Sequence, residues 1–400
     1  MSRSADYTIK GFLYQFNKTL LEILNSQDDG VITVEGIVED VDIKTLEGMT
    51  AIQCKYHETS DTFTPSIIFK PLLQMLLHYQ TNSAYNINYV LFAHIGGVEK
   101  KNLPKVGKAE LEAATKSKSK KYTKLIDQLN DVDIDQFLSR FSMEFGPAFD
   151  ALVDEVSNAL EKNGVVAGEI ETLAYPNAIN IIANLSIKHD EAERKISKLQ
   201  LLDSLKDIRK TAISHWTLSL RTRKQLLDAR RKQLKANLDK NSRLRYLIVD
   251  AKNLDDFDEE IVLFVTDYLE KYHSKPAHVS TPVLCLRSSA KSFQEIQHRL
   301  YSKGITSTDG YIGGQFEDSY FYRDPLSQGS GSSRKREFSL RLLLWEDHEE
   351  VLNSRKCDDL FIIGTGNYDA LETRDVNIEY LAATSLKEIK YIIGVSNVYE

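Results

Sequence analysis

Four hundred residues, 27% charged and 42% hydrophobic, are enough for two or three domains with real cores and too apolar for a disordered chain. There is no apolar run of 18 residues and no apolar signal region after Met1-Ser2-Arg3-Ser4-Ala5-Asp6, and Cys54, Cys285 and Cys357 are too few and too scattered for a disulfide framework or a metal-ligand spacing, so the expected setting is a reducing cytoplasm with no membrane partner. The net charge of −7 excludes a uniformly basic surface, so any anionic partner has to meet a local patch.

Ile9, Phe12, Leu13, Phe16, Leu20, Leu21 and Leu24 recur at helical spacing and predict a helix over 8–24. Val31 to Val34 reads as a strand. Residues 38–45 and 50–56 read as two further strands around Leu46-Glu47-Gly48. Side chains alternate faces along a strand. Asp40 and Asp42 therefore share one face, with Val41 and Ile43 opposite. Gln53 and Lys55 likewise share a face, with Ile52 and Cys54 opposite. A second helix is predicted over 66–80. Asn88 to His94 reads as a strand buried on both faces. Helix, three strands, helix, strand makes an α/β core.

A hairpin pairing of the two polar faces would gather carboxylates, an amide oxygen and an ammonium. Mg²⁺ takes oxygen ligands, typically one or two carboxylates plus substrate phosphate. It polarises a phosphoryl oxygen and acidifies a bound water. A neighbouring lysine stabilises charge developing on phosphate or holds the attacking water. The competing reading is an amphipathic hairpin with a solvated polar face. His57 and His94 lie close by in sequence; either is a candidate to touch phosphate, and the favoured reading is a satisfied structural or surface histidine.

The chain carries Gly11-Phe12-Leu13-Tyr14-Gln15, then Glu39-Asp40-Val41-Asp42, then Gln53-Cys54-Lys55. This ordered trio resembles the PD-(D/E)xK nuclease superfamily in its Gln-x-Lys variant. It is similar above all to the double-strand DNA endonuclease domain of bacterial anti-phage effectors, found in CBASS systems and in Lamassu-type nuclease subunits. The resemblance covers roughly the first hundred residues. It implies a restriction-endonuclease-like core with Asp40 as principal metal ligand, Gln53 as second ligand, Lys55 as catalytic lysine and Gln15 completing the site. Asp42 is either a second acidic ligand or exchanges roles with Asp40. Mg²⁺, with Mn²⁺ as a substitute, is the implied cofactor. Gln53 is neutral where many relatives have a carboxylate, which implies weaker metal binding.

Two basic stretches follow. Residues 100–124 hold nine lysines, among them Lys116, Lys118, Lys120 and Lys121, against two glutamates. They read as a flank reaching DNA or as a mobile surface segment. Between Arg209 and Arg245, twelve basic residues face only Asp228 and Asp239. Ile213, Trp216, Leu220, Leu227, Leu234 and Leu238 form one stripe of a long predicted helix, with Arg221, Arg223, Lys224, Arg230, Arg231, Lys232 and Lys235 largely off it. That helix either tracks nucleic-acid phosphates or docks its charges against acidic protein surface.

Helices are expected over Phe149–Leu160 and Asp190–Leu205, making 131–241 a helical connector and assembly region behind a nuclease domain at 1–130. From 242 to 400, strands near 244–249, 282–286, 338–345, 359–364 and 390–395 alternate with helices at 258–272 and 292–302. That pattern predicts a C-terminal α/β domain for sensing or partner docking. Ser327 to Arg336 is a Gly/Ser-rich loop, and Gly364-Thr365-Gly366 falls short of a dinucleotide fingerprint. The expected function is a Mg²⁺-dependent endonuclease acting on double-stranded DNA in anti-phage defence. It is active as a homo-oligomer and triggered by partner subunits. An SMC-like ATPase is favoured as partner over a nucleotide-signalling system. The alternative is a non-catalytic nuclease-fold scaffold.

Overall fold

The computed structural model describes residues 3–28, 30–34, 41–45, 48–58, 62–96, 98, 104–130, 132–240, 242–274, 278–328 and 335–398. They form two compact α/β units, Met1–Arg209 and Lys210–Glu400. The stretch 131–241 is divided between the two. Among the described residues no helix is long and apolar enough to cross a membrane.

The first unit is built on α1 (Arg3–Asn25), β1 (Val31–Val34), β2 (Val41–Thr45), β3 (Gly48–His57), α2 (Phe69–Asn82), β4 (Ile87–Ile95), α3 (Lys108–Thr115), β5 (Phe141–Phe145), α4 (Phe149–Lys162), α5 (Tyr175–Ser186) and β6 (Lys195–Ser197). Its mixed sheet has the order β5-β4-β3-β2-β1-β6. The β1–β2 and β2–β3 pairs are antiparallel, while β3–β4 and β4–β5 are parallel. α2 is the crossover between β3 and β4 and so starts at the C-terminal end of β3. It buries Leu72, Met75, Leu76 and Tyr79 against Ala51, Tyr89 and Leu91. α1 covers the other face, where Tyr14 meets Tyr56 and Phe92 at ring-centroid distances of 4.7 and 5.6 Å. The predicted helix over Asp190–Leu205 is interrupted. Lys195–Ser197 leaves it to extend the sheet, with Ile196 opposite Ile32, and burying that isoleucine on a sheet edge outweighs helical continuity.

In the second unit, α6 (Arg223–Leu238) precedes β7 (Arg245–Asp250), α7 (Phe257–His273), β8 (Val283–Arg287), α8 (Ala290–Ser302), β9 (Ser307–Thr308), β10 (Leu340–Leu344), β11 (Asp359–Ile363), β12 (Asn377–Leu381) and α9 (Leu386–Ile392). The sheet is parallel throughout, in the order β12-β11-β7-β8-β10-β9. β7, β8, β10 and β11 are buried almost end to end, as a parallel sheet covered on both faces requires. The segment expected as a strand at 390–395 is instead the end of a helix, through Ile392, and the turn that follows it. Ser385 caps that helix by accepting from the Lys387 N–H at 3.1 Å, and Leu386, Ile389 and Ile392 recur at helical spacing and are buried. The strand role falls to 377–381. The long stripe from Ile213 to Leu238 is also broken. Ser214 caps a single turn over His215–Leu218, and α6 begins only at Arg223.

Candidate functional site

β1, β2 and β3 set the site by register. Asp42 stands opposite Ala51 on β3 and opposite Thr33 on β1. Cross-strand partners share a face and alternate residues repeat it. Thr33, Asp42, Gln53, Lys55 and His57 therefore line one face of the sheet, the face against which α2 packs. Ile52, Cys54 and Tyr56 line the other. The register puts Asp42, Gln53 and Lys55 on one face of the sheet, with Asp42 opposite Ala51, two residues before Gln53 and four before Lys55. Asp40 lies outside the described residues. Gln15 is buried on α1, the helix that covers the opposite face, so the structure does not place it on the face of Gln53 and Lys55.

The environment of these groups is unusual for a solvated hairpin. Asp42 is 2% exposed and Gln53 6%. The Gln53 Oε1 is buried and has no hydrogen-bond partner among the described residues, and neither do Thr33 Oγ1 and His57 Nε2. An acceptor left unpaired in the interior costs about 1–3 kcal/mol, so a cluster of them on one face is what a site for a bound group looks like. Lys55 is half-buried. Burial and then the Lys55 charge hold His57 below the usual histidine range, which keeps its ring neutral at pH 7. On the other face, burial and then Glu58 push the Tyr56 hydroxyl up to about 12, and His94 stacks on Tyr56 at 5.2 Å with its Nδ1 3.2 Å from the Gly146 carbonyl. His94 is thereby a packing residue. Cys54 is buried and not in a disulfide, on the face away from Lys55.

Among the described residues no three His, Cys, Asp or Glu side chains gather as a metal cluster. The donor set offered by Asp42 and Gln53 is one carboxylate and one amide oxygen. Hard oxygen donors with the remaining positions left to water and phosphate suit Mg²⁺ and not Zn²⁺. The unpaired Gln53 Oε1 fits that role.

Thr33 was invisible as a site residue in the sequence. Its place beside Asp42 depends on the β1–β2 register, and no local pattern announces that register. His57, expected as a satisfied histidine, instead has a buried Nε2 with no hydrogen-bond partner among the described residues.

The basic candidates separate sharply. Lys116, Lys118, Lys120 and Lys121 are all exposed, and among the described residues Lys116 alone of the four has an ion pair, to Glu112 at 3.0 Å. On α6 the expectation of a phosphate-tracking surface is corrected at Arg230, while Arg223 and Arg231 are engaged by protein groups and stay partly exposed. Arg230 is 2% exposed and pairs with the buried Glu379. Arg223 donates to the buried Glu388, its Nε at 2.9 Å. Arg231 donates to the Ser396 carbonyl at 3.0 Å and to Asn397 at 2.7 Å. Enclosed with Glu379, the Arg230 guanidinium is not available to a phosphate, whereas the Arg223 side chain is 48% exposed. Arg221 and Lys224 remain exposed.

No family model matches the chain, and no curated protein matches it. Among solved structures, the chain is similar to the SAVED/CARF-domain containing receptor Cap4 of Acinetobacter baumannii, at 10% identity and a TM-score of 0.29 over 96% of this chain and 93% of that one. The same receptor with the cyclic trinucleotide 3'3'3'-cAAA aligns at 10% identity and a TM-score of 0.29, over 97% and 94% of the two chains. A structure of apo OtsA aligns at 14% identity over 78% and 77%, with a TM-score of 0.17. Likenesses at this level carry neither fold nor function across.

Proposed function

We propose that the protein is a metal-dependent endonuclease that hydrolyses phosphodiester bonds of double-stranded DNA as an effector of bacterial anti-phage defence. The observation that supports it is the sheet face shared by the buried Asp42 and Gln53 and the half-buried Lys55, in the order and spacing of the Gln-x-Lys nuclease pattern. Asp42 and the Gln53 Oε1 would hold Mg²⁺, with Asp40 completing the set. When bound, the ion supplies polarisation of the phosphoryl oxygen and a more acidic water. Lys55 places its ammonium beside the reacting phosphate, where it stabilises developing negative charge or orients the attacking water. The neutral His57 two residues on offers a nitrogen that can accept or donate a hydrogen bond without adding charge. Burial of the face excludes bulk water and strengthens each of these interactions.

The proposed trigger is assembly with partner subunits. Cutting both strands needs two sites facing opposite strands, which a symmetric oligomer supplies. Among the described residues the second unit is built on one six-stranded sheet, with two two-stranded ribbons besides. This favours docking to an SMC-like ATPase, as in Lamassu-type systems, over a paired-lobe nucleotide sensor.

The test is plasmid cleavage with Mg²⁺ or Mn²⁺ at low salt over a range of protein concentrations, alone and with the products of neighbouring genes. The comparison proteins are Lys55→Ala and Asp42→Asn. Metal-dependent cutting that vanishes in the Lys55→Ala protein, with its melting temperature unchanged, is the expected result. Absence of cutting under every condition, partners included, overturns the reading and leaves the non-catalytic scaffold.

A further inference from the structure

The two basic stretches are equivalent as sequence, but the structure makes them different objects. In nine residues, 116–124, five are lysines and none is acidic. All five are exposed. The segment is not a free flank. Leu111 and Ala114 just before it are buried, Leu111 within the core under α2. Tyr122 donates to the Ser66 carbonyl at 3.2 Å and packs edge-on against Phe69 at 6.1 Å. Just after it, the Asn130 N–H donates to Gln80 Oε1 at 2.8 Å. The lysines are thus carried on a strap tied down on both sides.

Where the strap is tied matters more than its charge. Ser66 and Phe69 mark the start of α2, at the C-terminal end of β3. Lys55 pairs with Ala93 and Ala93 with Phe145, so Lys55 and Phe145 lie in one row on the α2 face. Phe63, three residues before Ser66, packs on Phe145 at 6.0 Å. The strap therefore belongs to the same face and the same end of the sheet as Lys55. α6, in contrast, has Arg230 enclosed with Glu379 and engages Arg223 and Arg231 with Glu388, Ser396 and Asn397 of its own unit.

We infer that the strap 116–124 is the surface that holds the sugar-phosphate backbone of duplex DNA beside the site, through Lys118, Lys120, Lys121 and Lys124, and that α6 is not. Ammonium groups on flexible stems, with no fork-shaped guanidinium and no aromatic face presented among them, bind phosphate as point charges and read no bases. The contact is therefore sequence-independent and strongly salt-dependent.

This inference deepens the nuclease reading and takes its substrate from it, so the test measures binding without metal, where cutting does not enter. The probe is a 30-base-pair duplex of mixed sequence, titrated with the full chain from about 50 to 200 mM salt by fluorescence anisotropy. Each phosphate contact contributes roughly 0.9 to the slope of log K against log salt. The Lys118→Gln/Lys120→Gln/Lys121→Gln/Lys124→Gln protein, shown by its melting temperature to be folded, is expected to lose about 3 to 4 from that slope. The Lys232→Gln/Lys235→Gln/Lys240→Gln protein on and beside α6 is expected to keep it. An unchanged slope in the strap variant, or no binding by the parent protein at the lowest salt, overturns the inference. A slope that falls as expected, in a protein whose Lys55-dependent cutting never appears, upholds the strap and sinks the nuclease instead.

Discussion

Arg230 and Glu379 form an ion pair with side chains 3% and 2% exposed, joining the middle of α6 to the edge strand β12. Lys210 reaches the same carboxylate at 2.8 Å, and Asn377 donates to it at 3.1 Å. Burial by itself weakens the guanidinium's hold on its proton, and the Glu379 charge opposes that. Removing one partner of a buried pair leaves an uncompensated charge and costs about 3–5 kcal/mol. Lys210 remains beside Glu379, so Arg230→Met is expected near the lower end, about 3 kcal/mol. Both tryptophans, Trp216 and Trp345, lie in the second unit, so their fluorescence during urea unfolding reads this loss. The Arg230→Met/Glu379→Leu protein should recover most of it.

A second prediction concerns the attachment of α1. A Cβ at Gly146 would collide with the Tyr14 hydroxyl and the edge of the Phe92 ring. Tyr14 is fully buried and donates to the Pro147 carbonyl at 3.0 Å, so it has little room to withdraw. Gly146→Ala should therefore destabilise the first unit by about 1–3 kcal/mol through overpacking. Hydrogen exchange in residues of α1 and β4 would show it as faster opening, with the second unit unchanged.

A third prediction follows from His273, which is buried in the second unit. Burial first, then the Arg245 charge, lowers its pKa to about 3. The folded protein keeps this ring neutral down to that pH, while the unfolded chain protonates it below about 6.5. Its contribution is thus complete above pH 6.5 and declines as pH falls from there toward 3, by about 1.4 kcal/mol per pH unit. Urea midpoints followed by tryptophan fluorescence should fall between pH 7 and pH 5. His273→Gln should flatten that dependence while lowering stability at pH 7.

A fourth prediction tests the oxygen set without relying on activity. Gln53→Glu puts a second carboxylate on a face where Asp42 is already 2% exposed. Two buried carboxylates in one site disfavour joint ionisation. The metal-free variant should be less stable than the parent at pH 7, by about 1–3 kcal/mol, and Mg²⁺ should restore more stability to it than to the parent. Melting curves with and without Mg²⁺ measure both. A variant indifferent to Mg²⁺ would count against a metal at Gln53.

The α/β class was legible in the sequence because it rests on local rules. Period-two alternation placed Gln53 and Lys55 on one face and Cys54 on the other, and helical spacing found α1, α2 and α7 within a few residues. Such patterns are set by the geometry of each element and need no distant partner. What the sequence left open depended on residues far along the chain. Whether the arginines of α6 face a phosphate or a protein carboxylate was decided by Glu379 and Glu388, some 150 positions away. Whether 195–197 stayed helical was decided by the open edge of β1. Thr33 joined Asp42 through strand register, and the lysines of 116–124 came to the Lys55 end of the sheet because Tyr122 docks on the start of α2. Local geometry fixes which way a side chain points. Burial and charge pairing across the tertiary structure fix what it meets there.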